Sequence, residues 1–192
     1  MDDGNVVIQV VGVTGLLKSG KSTFTRLLTE CVLAQGVMAR VFPFAAPLKD
    51  IARNQFGWDG EKDERGRRLL QVLGTEAGRA YNPNIWTEKW VEKVADWARL
   101  RGPLSLAIAD DLRFDNEAEA LWSLKFAKAS VVKIEREGHK PDQTDHVSEI
   151  GVSEGLIDHT FTFKSGDLKN MRYVADSFVR RMFHPSNDLR EG

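Results

Sequence analysis

With one cysteine, Cys31, in 192 residues, the chain has no partner for an internal disulfide. That excludes a small cross-linked scaffold and fits a reduced intracellular protein. No apolar run reaches the roughly 18 residues of a membrane helix. The first residues, Met1-Asp2-Asp3-Gly4, are acidic where a secretory leader is basic. The expected compartment is the cytoplasm, with no membrane partner. Charge of one sign is also missing. Twenty-seven basic and 28 acidic side chains leave a formal net charge of -1, too even to hold a nucleic-acid backbone without sequence preference. There is no internal repeat, heptad seam or low-complexity tract. The four histidines, His139, His146, His159 and His184, show no metal-ligand spacing.

What remains is an average globular composition, 42% hydrophobic and 29% charged, in a chain long enough to bury roughly 70% of its unfolded surface. A single domain over residues 1–192 is expected, with a homodimer compatible with it. Residues 6–11 and 37–44 read as buried strands. Between them Phe24, Leu27, Leu28, Cys31 and Val32 recur at helical spacing, closed by Gly36. Residues 104–109 and 131–135 are further strands, and 160–163 a weaker fifth. Residues 45–100 contain no strand-like run but three helical patterns, at about 47–56, 61–80 and 84–99. The expected architecture is α/β: a three-layer α/β/α P-loop NTPase fold with a five-stranded, mainly parallel sheet, interrupted by this helical insertion. In such sheets ligands sit at the carboxyl ends of the strands. The polar stretch 136–158 is longer than an ordinary connection and reads as a lid; the tail from His184 looks unstructured by composition.

The segment Gly15-Leu16-Leu17-Lys18-Ser19-Gly20-Lys21-Ser22 has the form GxxxxGKS between a strand and a helix, the context a phosphate-binding loop requires. Its glycines let backbone N–H groups turn inward around a phosphate, and the helix adds the positive end of its dipole. Gly15, Ser19, Gly20, Lys21, Ser22 and Thr23 are therefore candidate ATP contacts, with Lys21 on the β- and γ-phosphates and Ser22 on a magnesium ion. A switch GTPase is disfavoured. Asp63-Glu64-Arg65-Gly66 has the DxxG form, but it follows no strand, and no NKxD signature occurs.

Asp110-Asp111 follows the 104–109 strand, so one of the pair should face the metal; alternation along a strand points the other away. Asp111 is the expected one; a mere helix-capping role suits Asp115 and Asn116 better than Asp110 and Asp111. In the insertion, Arg68, Gln71, Thr75 and Arg79 recur at three and four residues and can share one helix face, a candidate anion site alongside Lys49. Trp86 and Trp90 sit four apart; base stacking and core packing are both open to them.

These residues together carry a resemblance. The loop with Lys18 before Ser19-Gly20-Lys21, Phe44-Ala45-Ala46-Pro47-Leu48-Lys49, Phe56-Gly57-Trp58 and the run from Lys62 to Gln71 contribute to it. So do Gly74-Thr75-Glu76, Asn82-Pro83-Asn84-Ile85-Trp86 and Asp111-Leu112-Arg113-Phe114-Asp115-Asn116-Glu117. Over about residues 6–160 the chain resembles the deoxynucleoside monophosphate kinases of tailed bacteriophages, within the P-loop nucleoside monophosphate kinase group. It departs from that pattern after the last strand, where it reads Phe163-Lys164-Ser165-Gly166 in place of an Asn-Gly type segment. The resemblance implies transfer of the ATP γ-phosphoryl group to a deoxynucleoside 5′-monophosphate, with magnesium (Mg2+), in the host cytoplasm if the chain is phage-encoded. Lys18, Lys21, Asp111, Arg113 and the lid residue Arg136 would be catalytic. Lys49, Arg68, Gln71, Thr75, Arg79, Trp86 and Arg113 would bind the acceptor. Ser22 and Asp111 would bind the metal. Three other readings stand beside it. One is a kinase of the same fold for another acceptor, such as phosphomevalonate, dephospho-coenzyme A or a modified DNA base; the others are a slow regulatory NTPase and a nucleic-acid-processing ATPase.

Overall fold

The computed structural model describes residues 7–61, 63–139 and 151–184. Its five strands are β1 (Ile8–Thr14), β2 (Met38–Val41), β3 (Ser105–Ala109), β4 (Ala127–Arg136) and β5 (His159–Phe163). They form one sheet in the order β2-β3-β1-β4-β5, and every pairing is parallel.

Alternation along the strands builds two cores. Val11, Val13, Leu106, Ile108, Val132 and Ile134 meet helices α1 (Lys21–Ala34) and α6 (Leu168–Phe183) on one face. Ile8, Val10, Ala107, Ala109 and Val131 meet α4 (Ile85–Arg101) and α5 (Asp115–Trp122) on the other. Burial on both faces is what a parallel sheet demands, because its crossover helices must cover both sides. The three-layer α/β/α arrangement expected from the sequence is the one observed.

Two strands and a helix differ in extent from the reading of the sequence. β4 begins at Ala127, well before the apolar run, because pairing with β1 from Ile8↔Ala127 to Thr14↔Lys133 carries the weakly β-forming Ala-Lys-Ala-Ser stretch; tertiary pairing overrides local propensity here. β2 is only the central part of the 37–44 run. Helix α6 was not anticipated, although its buried positions Met171, Ala175, Phe178 and Val179 follow helical spacing and Asp167 accepts the Asn170 N–H at its start.

The insertion consists of α2 (Ala46–Phe56), α3 (Glu64–Gln71), a π-helical segment Val72–Arg79 that continues α3, and α4. The return from residues 140–150, which lie outside the description along with the centre of the expected lid and the tail beyond His184, is docked on α5. There Asp115 accepts both the Ser153 N–H at 2.8 Å and the Ser153 hydroxyl at 2.6 Å. Asn116 in turn donates to Pro83 O and Asn84 Oδ1, both at 3.0 Å. Neither side chain caps α5; each is drawn to a partner outside the helix.

The chain leaves β1 toward β2 on one side and leaves β3 toward β4 on the other, so the order reverses between β1 and β3. A crevice at such a reversal is where open α/β sheets bind ligands. The loop after β1 and the aspartates after β3 both open onto it.

Candidate active site

The turn after β1 is shaped by residues with left-handed backbones. Gly15 has φ 136°, and a Cβ there would lie 2.2 Å from Ile134 O; Lys18 (φ 61°) and Gly20 (φ 105°) follow. Gly20 caps α1 without a side-chain acceptor, so the first-turn amides of this helix keep their donors for a ligand. The Lys21 ammonium donates to Gly15 O and Leu16 O, each at 2.7 Å, folding back over the loop. Ser19 is buried, and its hydroxyl has no hydrogen-bond partner among the described residues. Lys18 and Ser22 are exposed and Thr23 is half-buried.

The two aspartates after β3 have different partners. Asp111 accepts the N–H groups of Phe44 at 2.7 Å and Ala45 at 3.1 Å, fastening the turn between β2 and α2 to the exit of β3. Asp110 has a buried Oδ1 with no partner among the described residues. Burial, then the neighbouring Asp111 charge, push its carboxyl above the usual range, while Lys49 and Lys21 pull it down. Asp110 is thus the carboxylate left with a spare buried oxygen, while both oxygens of Asp111 accept backbone N–H groups.

This donor set suits a hard cation. Magnesium is commonly held by one or two protein oxygens together with phosphate oxygens and water, and Ser22 and Asp110 flank the crevice with such oxygens. Among the described residues no group of three or more His, Cys, Asp or Glu side chains could hold a metal by itself.

Glu117 supplies a feature that sequence reasoning missed. Its Oε2 accepts the N–H groups of Arg113 at 2.8 Å and Phe114 at 3.2 Å, while Oε1 accepts Arg79 Nη2 at 2.7 Å. The Arg79 guanidinium also lies over the Phe114 ring, 4.0 Å from its centroid. Burial raises the Glu117 carboxyl above its usual range; the Arg113 amide and Arg79 oppose that shift. The reach-back to the Phe114 N–H is the second half of a capping box whose N-cap, Phe114, lacks the Ser or Thr that would mark it in the sequence. Nor does the sequence mark the partner, Arg79.

The face expected from Arg68, Gln71, Thr75 and Arg79 is not presented as one unit. Arg68 is exposed and paired with Glu76, Gln71 and Thr75 are exposed, and Arg79 turns to buried Glu117. The cause is the π-helical segment, whose hydrogen bonds skip one residue more than those of an α-helix, so the 3.6-residue period fails across it. Close packing accompanies that segment. A Cβ at Gly74 would lie 2.9 Å from Leu48, and one at Gly78 would lie 2.8 Å from the Trp86 ring. Trp86 is 5% exposed and donates its indole N–H to Gly74 O at 3.0 Å. Trp90 donates to Phe42 O at 2.6 Å and stacks on Phe44. Both are core residues; the base-stacking expectation for Trp86 is corrected accordingly. Asp63, from the DxxG-like run, accepts the Gly66 N–H at 2.7 Å and is the N-cap of α3.

At the end of β4, Arg136 and His139 tie the strand's exit to the loop. His139 Nε2 lies 2.7 Å from Leu17 O. A carbonyl only accepts, so Nε2 carries the proton and Nδ1 accepts from Arg136 Nη2 at 2.8 Å in the neutral ring. A cavity of about 340 Å³ adjoins this link, lined in part by Gly15, Ser19, Arg136 and His139. Lys49 is half-buried on α2, and Arg113 is exposed beside α5.

No described protein family matches the chain, and no curated protein does. Among solved structures, it is similar to the APS kinase of Mycobacterium tuberculosis, with a TM-score of 0.50 and 11% identity, over 91% of this chain and 98% of that one. It is also similar to a provisionally assigned kinase of Chloroflexus aurantiacus, with a TM-score of 0.51 and 14% identity, over 91% and 98% of the two chains. At such identities the likeness concerns the fold. No helix among the described residues is long and apolar enough to cross a membrane. Sheet order, loop and solved relatives agree: this chain has the three-layer α/β/α fold of P-loop kinases.

Proposed function

We propose that the protein transfers the γ-phosphoryl group of ATP to a deoxynucleoside 5′-monophosphate, giving the diphosphate and ADP. The observation that carries this reading is the crevice between β1 and β3. A glycine-shaped loop with Lys21 borders it on one side, Asp110 lies at the end of β3, and Arg79 from the insertion is fixed at the same β3–α5 corner.

In this reading the loop amides and Lys18 hold the triphosphate, and Lys21 leaves the Gly15 and Leu16 carbonyls for the β- and γ-phosphates. Ser22 and Asp110 would hold a magnesium ion, which neutralises charge on those phosphates when bound. A nucleotide monophosphate has its second pKa at about 6, so its attacking oxygen is already anionic at neutral pH and needs no strong base. The barrier is the repulsion of two anions. Lys49, Arg79 and Arg113 lower it on the acceptor side, Arg68 joins them on release from Glu76, and Gln71 and Thr75 serve as polar contacts near the insertion's rim. Arg136 approaches the donor phosphates from the end of β4. Catalysis is then alignment and charge neutralisation.

A second reading, phosphorylation of a hydroxyl acceptor, has one observation in its favour. Burial raises the Asp110 carboxyl, which moves it toward the range of a general base. A coupled assay of ATP with each deoxynucleoside monophosphate and with hydroxyl acceptors decides between the two. ADP formation driven by monophosphates supports the first; ADP formation driven only by hydroxyl compounds replaces it with the second.

A further inference from the structure

The two side chains that meet at the β3–α5 corner, Arg79 and Glu117, come from elements 38 residues apart. We infer that Glu117 is a positioning residue for acceptor binding: it fixes the Arg79 guanidinium at the mouth of the crevice and links it to the Arg113–Phe114 backbone. The inference rests on the phosphotransferase reading.

Capping alone does not account for Glu117. A capping-box side chain needs only to reach the N-cap N–H, and it ordinarily does so at the helix surface. Here the side chain is 3% exposed and one carboxylate oxygen is given entirely to Arg79, whose own side chain is 18% exposed. Burying a carboxylate is unfavourable without a strong partner, and removal of either member of such a pair is far costlier than replacement of both. The guanidinium is held in two ways, edge-on by Glu117 and face-on by the Phe114 ring. Arginine offers five N–H donors in a rigid fork. Nη2 donates to Glu117, and the other guanidinium nitrogens have no hydrogen-bond partner among the described residues. An arginine already fixed in this way loses little rotamer freedom when it meets a phosphate. The arrangement therefore fits a pre-set anion fork better than a structural ion pair.

The test is a double-mutant cycle on the full chain with Glu117→Gln, Arg79→Ala and the double variant. Glu117→Gln is expected to raise the KM for the monophosphate about tenfold and leave that for ATP within about twofold, the cost of one misplaced charge-assisted contact. The double variant should be no worse than Arg79→Ala. Additive effects, equal rises in both constants, or a loss of thermal stability with unchanged constants would overturn the positioning role.

A second measurement needs no turnover. Phenylglyoxal should modify Arg79 more slowly than the 75% exposed Arg99 in the native chain, and Glu117→Gln should abolish that protection. Unprotected Arg79 in the native chain overturns the inference even if no variant folds. If Arg79 is protected as expected but no monophosphate binds, it is the phosphotransferase reading that fails, and the acceptor role of Glu117 fails with it.

Discussion

Asp110 and Asp111 are adjacent in sequence and opposite in use: Asp111 accepts two backbone N–H groups from the turn after β2, while Asp110 keeps a buried oxygen without a partner among the described residues. Asp111→Ala should destabilise the fold by about 1–3 kcal/mol, because the Phe44 and Ala45 amides lose their acceptor. Asp110→Asn should leave the fold intact and lower kcat about a hundredfold or more. Thermal unfolding beside steady-state kinetics checks both, and the reverse pattern would return the metal-facing role to Asp111.

The raised Asp110 carboxyl also carries a pH signature. A group whose folded pKa exceeds its unfolded value binds more protons in the native state, so stability falls as pH rises from the unfolded value of 3.8 to the folded one. Asp110→Asn removes that loss. The variant should match the native chain in acid and exceed it at neutral pH, as read by denaturant unfolding at a series of pH values. A constant difference across the range would contradict the burial of this charge.

Gly15 is the position at which the loop tolerates no side chain, given its φ of 136° and the Ile134 carbonyl 2.2 Å from any Cβ. Gly15→Ala should impose strain of about 1–3 kcal/mol and lose ATP binding, measured by calorimetry. Gly36→Ala is the control. It also has positive φ, but nothing lies within 4 Å of its Cβ position, so ATP binding should persist.

His139 fastens the exit of β4 to Leu17 O and to Arg136. Its replacement by alanine frees the loop's rim and should raise ATP hydrolysis in the absence of acceptor, because water is no longer kept from the phosphates. Unchanged acceptor-free ADP release would show that this link does not guard the site.

The sheet and the phosphate loop were legible because both are local signals: β-branched runs bounded by glycine, and eight residues whose spacing has a mechanical reason. Which of Asp110 and Asp111 fastens the turn after β2 was not, since strand alternation says that neighbours diverge and not which way each turns. The Arg68–Arg79 face failed because a π-helical segment breaks the period on which it was drawn. Trp86 was ambiguous because an indole serves a core and a base equally well until the Gly74 carbonyl is seen to take its N–H. Glu117 was not legible as more than part of a motif block, because its partner Arg79 is 38 positions away and no local pattern joins them.

The central claim is tested most directly by phosphorus NMR of ATP, magnesium and a deoxynucleoside monophosphate incubated with the native chain and with Lys21→Ala. The expected result is a new deoxynucleoside diphosphate in step with ADP for the native chain, and neither product at a comparable rate for the variant. Inorganic phosphate and ADP with no deoxynucleoside diphosphate, or equal conversion by the variant, would contradict phosphoryl transfer at this loop.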